Sequence, residues 1–138
     1  MRKALFQKRR EGGQSVVEVA LTLPLVLLLL FGMIEMGWLL SARQSLDTMT
    51  REGARAGIVA ATTTASRTAV TNRVNAVKPP YMTNAVTVTV TFSNAASFKD
   101  GDITVALAYN LPPLSPLTQF LTADGTYHLN SSYTMKMG

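Results

Sequence analysis

Residues 13–40, GQSVVEVALTLPLVLLLLFGMIEMGWLL, contain 16 consecutive positions, Val19 to Ile34, that carry no charge. A bilayer core about 30 Å thick requires ~20 mostly apolar residues in helix, and Val16 to Leu40 supplies 25. A helix that covers one side of a soluble core keeps a polar stripe on its other side. Residues 23–31, LPLVLLLLF, keep none. The stretch reads as a membrane-spanning helix over residues 14–40, preceded by a basic leader over 1–13.

The charge distribution assigns an orientation. The whole chain carries a formal net charge of +5, from 13 basic and eight acidic residues. Arg2, Lys3, Lys8, Arg9 and Arg10 against Glu11 place +4 in the leader, which leaves +1 for residues 14–138. Five basic residues precede the span, and three (Arg43, Arg51, Arg55) follow it closely. By the positive-inside rule the N-terminus is cytoplasmic and the C-terminal part extracytoplasmic. A basic excess confined to a tail beside an apolar span is a topology signal, so the expected partner is the lipid bilayer and no nucleic acid. The apolar run exceeds the ~7–15 residues of a secretory h-region. The following Ser41 to Gln44 makes a poor small-x-small cleavage site. The span is expected to stay on the protein.

Beyond the span the helical pattern continues over residues 41–61. Arg43, Asp47 and Arg51 are four apart, a spacing that favours ion pairs on one face. Leu46, Met49, Thr50, Gly53, Ala54 and Gly57 form a less polar stripe, in which the two glycines weaken the helix but admit a closely packed neighbour. A helix from Gln14 to about Ala60 is expected. The threonines at 62–64 suggest a break, and a second helix is read over Ser66–Val77, stopped by Pro79 and Pro80. The period then changes from 3.6 to 2. Val86 to Phe92 and Ile103 to Tyr109 alternate cleanly, with a turn signal at Lys99 to Asp102, and read as a hairpin. Leu111 to Leu117 reads as a proline-rich loop, followed by a turn of helix through Phe120 and Leu121. Asp124 and Gly125 read as a turn, and Tyr127 to Met137 as a third strand. The fold class is α+β: a long N-terminal transmembrane helix extending out of the membrane, then a small antiparallel sheet domain over residues 62–138.

Little points to catalysis, and the chain is expected not to be an enzyme. With no cysteine, thiol nucleophiles, disulfides and zinc–thiolate sites are absent. His128 is the sole histidine and has no nucleophile or acid at a telling spacing. Asp100, Asp102 and Asp124 lack the ligand count of a calcium loop and read as turn residues. No cofactor or metal is expected.

The acids at the ends of the span carry more information. A carboxylate at a helix centre in lipid costs roughly 2.5–3.5 kcal/mol, and less near an end. Glu18 is therefore readable as an interfacial acid. A second reading follows from Gly13. If the chain were cut after Gly13, the new ammonium on Gln14 would stand four residues before Glu18, and the two charges could satisfy each other. Pro24 cannot donate to the carbonyl of Ala20 and is expected to kink the helix. Glu35, Gly37 and Trp38 mark the outer end. Trp38 suits a headgroup belt, and Glu35 suits either the interface or a polar contact to another membrane helix. Arg51, Glu52 and Arg55 read as a solvated start of the exposed helix or as a docking surface.

A glycine at the end of a basic leader, a glutamate five residues later and a long apolar helix resemble the class III signal of type IV pilins and pseudopilins. In combination, Gly13, Glu18, Leu23-Pro24, Glu35 with Gly37, and the REGAR segment Arg51 to Arg55 more closely resemble the TadE-like family of tight-adherence (Flp) pilus assembly. The likeness covers about residues 12–60 and leaves the sheet region uncovered. It implies a minor pilin or pseudopilin in the bacterial inner membrane, cut by prepilin peptidase between Gly13 and Gln14. Its partners would be other pilins and the assembly platform. The sequence leaves open whether the mature chain enters the filament. Val19 departs from the aromatic residue that often follows the glutamate in such signals. The alternative is an uncleaved signal anchor that tethers an extracytoplasmic binding module.

Overall fold

A computed structural model describes residues 2–94, 96–115, 122 and 124–137. Its elements, in order, are α1 (Arg2–Ile58), α2 (Thr63–Val77), β1 (Thr87–Phe92), β2 (Asp102–Leu111) and β3 (Tyr127–Lys136). The chain divides into two compact units, one ending at Met36 and the other beginning at Gly37. The α+β reading holds, with a long apolar helix followed by a three-stranded antiparallel sheet.

The first unit is helical, and α1 begins at Arg2, so the helix includes the leader that the sequence reading placed before it. Leucine and other residues not branched at Cβ favour helix, and in lipid a helix satisfies its backbone groups internally. Every residue from Gly13 to Ile34 is exposed, and the most apolar window of the helix has none of its residues buried. Such a helix is long and apolar enough to cross a membrane. α1 continues through Pro24, whose missing N–H deprives the Ala20 carbonyl of its usual donor. Nearby, Thr22 Oγ1 donates to the carbonyl of Glu18 (2.9 Å).

In the second unit, all six residues of the predicted stripe on α1, from Leu46 to Gly57, are buried. Leu46, Met49 and Ala54 share a core with Val70 and Val74 of α2 and with Ile103, Val105, Leu107, Tyr109 and Leu111 of β2. The glycines permit this packing. A Cβ at Gly53 would lie 3.1 Å from Val74 Cγ2, and one at Gly57 would lie 2.5 Å from Ile103 Cδ1. Ser66 Oγ, buried at the same crossing, donates to the carbonyl of Gly57 (2.9 Å).

α2 begins three residues earlier than the propensity of its threonines suggests. Thr62 is extended, and its hydroxyl accepts from the Ala65 N–H (3.2 Å), satisfying one of the donors a helix start leaves open. The threonine triplet thus starts a helix as well as separating two. The predicted hairpin is present, with Val88 opposite Leu107 and Val90 opposite Val105. Its connection includes a 3-10 turn at Phe98–Asp100. β2 extends to Leu111 and pairs with β3 from Asp102–Lys136 to Leu111–Tyr127, which makes β2 the central strand. Its inward residues are buried in strict alternation from Ile103 to Leu111. The turn before β3 holds Gly125 at φ 64, a conformation glycine adopts at no steric cost. The predicted turn of helix at Phe120 and Leu121 lies outside the described residues.

Candidate processing and anchoring segment

Gly13, Gln14 and Glu18 all lie on α1 and are exposed. Among the described residues, a Cβ at Gly13 would meet nothing within 4 Å. Gln14 and Glu18 are four residues apart, which places them on one helix face about 6 Å apart along the axis. This is the geometry in which an ammonium at position 14 and a carboxylate at position 18 come within reach.

The C-terminal end of the segment is built differently from its N-terminal end. Glu35 is 5% exposed, the single buried residue among positions 13–36. It is therefore kept off the surface that the surrounding leucines present. Gly37 has open space around it. Trp38 is half-buried. Its ring lies 4.9 Å from that of Tyr81, tilted by 55°, and its Nε1 donates to the carbonyl of Pro112 (3.3 Å). The Tyr81 hydroxyl shares a hydrogen bond with Ser45 Oγ (2.6 Å). The indole thus has partners inside the second unit, a role that its sequence context beside an apolar span did not reveal. Tyr81 follows two prolines and belongs to no periodic pattern, so nothing in the sequence tied it to Trp38.

The REGAR segment separates into two sets of contacts. Arg73 of α2 donates to Glu52 Oε2 through Nη2 (2.7 Å) and Nε (3.2 Å), and Arg55 stands 3.7 Å from Glu52 Oε1. The hydrogen bond from Arg73 holds the Glu52 carboxyl below its ordinary range, and the charges of Arg73 and Arg55 act in the same direction. Arg51 instead lies over the ring of Tyr133, 5.8 Å from its centroid. The expected ion pairs of Asp47 with Arg43 and Arg51 are not among those of the described residues. Asp47 Oδ1 accepts from Ser131 Oγ of β3 (2.5 Å) instead. A tertiary donor displaces the local pairing, because an exposed i,i+4 pair contributes only a few tenths of a kcal/mol.

Of the other polar residues, exposed His128 makes a hydrogen bond through Nδ1 with Asn110 Oδ1 (2.8 Å). Asp100 Oδ2 accepts from Ser97 Oγ (2.6 Å) within the 3-10 turn.

A family model described as TadE-like protein matches residues 13–55. No curated protein and no solved structure matches the chain. The matched segment starts at Gly13 and ends at Arg55, so it contains Glu18, Leu23-Pro24, Glu35, Gly37 and the REGAR run.

Proposed function

From a chain that is TadE-like over residues 13–55, we propose a minor pilin or pseudopilin that serves in assembly of tight-adherence (Flp) pili. The observation that carries this reading is the extent of the family match. It opens on the glycine of the resemblance to a class III signal and takes in both acids of the apolar span. The apolar helix near the N-terminus, the one such helix among the described residues, fits a single-pass membrane protein.

In the proposed mechanism, the helix first holds the subunit in the inner membrane with the leader in the cytoplasm. Prepilin peptidase then hydrolyses the Gly13–Gln14 peptide bond, leaving a carboxylate on Gly13 and an ammonium on Gln14. That ammonium pairs with the carboxylate of Glu18 on its own helix or on a neighbouring subunit. Two charges in lipid that satisfy only each other specify a register, because any other register leaves both uncompensated. The sheet unit supplies contacts to other pilins or to the assembly platform. No step turns over a substrate or uses a cofactor.

The test is the intact mass and N-terminal sequence of the membrane-extracted protein, with and without a co-expressed prepilin peptidase. A peptidase-dependent chain beginning at Gln14 is the expected result. A chain still beginning at Met1 beside an active peptidase would replace this reading with an uncleaved signal anchor carrying a binding module.

A further inference from the structure

A bilayer core of about 30 Å corresponds to ~20 helical residues. Counted back from Trp38, that length ends at Val19, the residue after Glu18. With Trp38 set at the headgroup level, where tryptophan concentrates in membrane proteins, Glu18 falls one membrane thickness away. Trp38 is also the residue whose Nε1 donates to the carbonyl of Pro112. A contact within the second unit thereby ties the start of the loop after β2 to Trp38, and so to whatever depth Trp38 takes.

The composition of that loop suits this depth. Leu111 is buried in the core, Pro112 is exposed, and Leu114 is 56% exposed. Among the described residues of the second unit, Leu114 is one of few large aliphatic side chains left so open, with Leu40 and Val59. Residues 111–115 carry no charge, so partition toward the interface leaves no ionised group to desolvate. Pro112 and Pro113 lack N–H donors, which lowers the cost of placing this backbone where water is scarce. Tyr81, its ring tilted against that of Trp38 and its hydroxyl hydrogen-bonded with Ser45, adds a second aromatic ring of the kind that lines membrane interfaces.

We infer that the loop at Pro112–Leu114 is a second membrane contact, which inserts the Leu114 side chain into the outer interface of the bilayer beside Trp38. The occupant of this surface is lipid, because the loop is continuous through Trp38 with the membrane-embedded part of the chain. The anchor thus has two points of attachment, a spanning helix and the loop beside Trp38. The inference holds whether or not the chain is cut at Gly13.

The absence of cysteine from the chain makes site-directed labelling unambiguous. The full-length protein, as Leu114→Cys or Lys99→Cys, is labelled with an environment-sensitive nitrobenzoxadiazole dye. It is then reconstituted in phosphatidylethanolamine–phosphatidylglycerol vesicles that carry lipids spin-labelled near the headgroup. Lys99 is exposed and lies beyond the far end of β2, a strand of ten residues spanning about 30 Å. It controls for proximity conferred by the anchor alone. The expected result is blue-shifted emission at position 114, with quenching several-fold stronger than at position 99. Unchanged Trp38 emission in an unlabelled Leu114→Cys chain verifies that the unit stays folded. Water-like emission at 114, with quenching no stronger than at 99, would overturn the inference. So would protection of 114 that arises only when other pilus proteins are added.

Discussion

Gly57 of α1 packs directly against Ile103 of β2, so closely that a Cβ at position 57 would lie 2.5 Å from the isoleucine Cδ1. The same added carbon would lie 2.9 Å from Val70 Cγ2 of α2. Three elements meet where only a hydrogen fits.

Gly57→Ala sets two effects against each other. Alanine improves an interior helix position by ~1 kcal/mol, whereas overpacking a core costs about 1–3 kcal/mol. With two neighbours obstructing the new methyl group, overpacking wins, and the urea midpoint of the full chain in detergent should fall. At Gly53 the obstructing atoms are 3.1 and 3.3 Å away and must shift by only a few tenths of an ångström. Gly53→Ala should therefore lie within about 0.5 kcal/mol of the wild type, its strain offset by the helix gain. A Gly57→Ala chain more stable than wild type would contradict the close approach.

The pairing of Glu52 with Arg73 predicts a pH dependence of known sign. The folded carboxyl titrates below its ordinary value, chiefly because of the Arg73 hydrogen bond. Its contribution is complete above the unfolded pKa and is lost as pH falls through the folded one. The thermal midpoint of wild type should therefore drop on acidification through that window by more than that of Glu52→Gln. The difference should shrink at high salt, since the pair is exposed enough to be screened. Parallel pH profiles for the two proteins would remove the pair from the stability of the unit.

Trp38 is the only tryptophan, so its emission reports the junction with Tyr81 and Pro112. Tyr81→Phe keeps the ring contact and deletes the hydroxyl that bonds Ser45. It should cost about 1 kcal/mol, the ordinary net value of such a bond, with little change in emission. Tyr81→Ala removes the half-buried ring as well, should cost more than Tyr81→Phe because the aromatic contact is also lost, and should shift the emission to the red. Equal effects of both variants on emission would show that the ring contact does not shape the indole environment.

The elements were legible where one physical requirement dominates. The span at Val19–Ile34 follows from uninterrupted apolarity, and β2 from strict alternation between Ile103 and Tyr109. The buried stripe of α1 follows from helical spacing, and the notable glycines within it from the need for close approach. What escaped the sequence is tertiary pairing between residues distant in the chain. Arg73 on Glu52, Ser131 on Asp47, and Pro112 with Tyr81 around Trp38 join positions 21 to 84 residues apart, and no local period encodes them. The start of α2 was missed for a different reason. Threonine is a poor interior helix residue and a good N-cap, and three in a row conceal which one caps.

Glu18 separates assembly from mere anchoring. Under the proposed mechanism, Glu18→Ala leaves the mature Gln14 ammonium without its partner in lipid. An uncompensated buried charge costs about 3–5 kcal/mol, so the amount of this chain in the sheared pilus fraction should fall more than tenfold. Membrane levels, read by immunoblot, should hold, because the apolar run that anchors the protein is untouched. Lys99→Ala, an exposed change in the sheet unit, should leave both fractions as in wild type. If the chain is only a tethered binding module, the weighting reverses: Glu18→Ala becomes silent, and changes in the sheet unit abolish function. Measured side by side in one host, the two variants decide between a helix that specifies packing and one that only holds the protein in place.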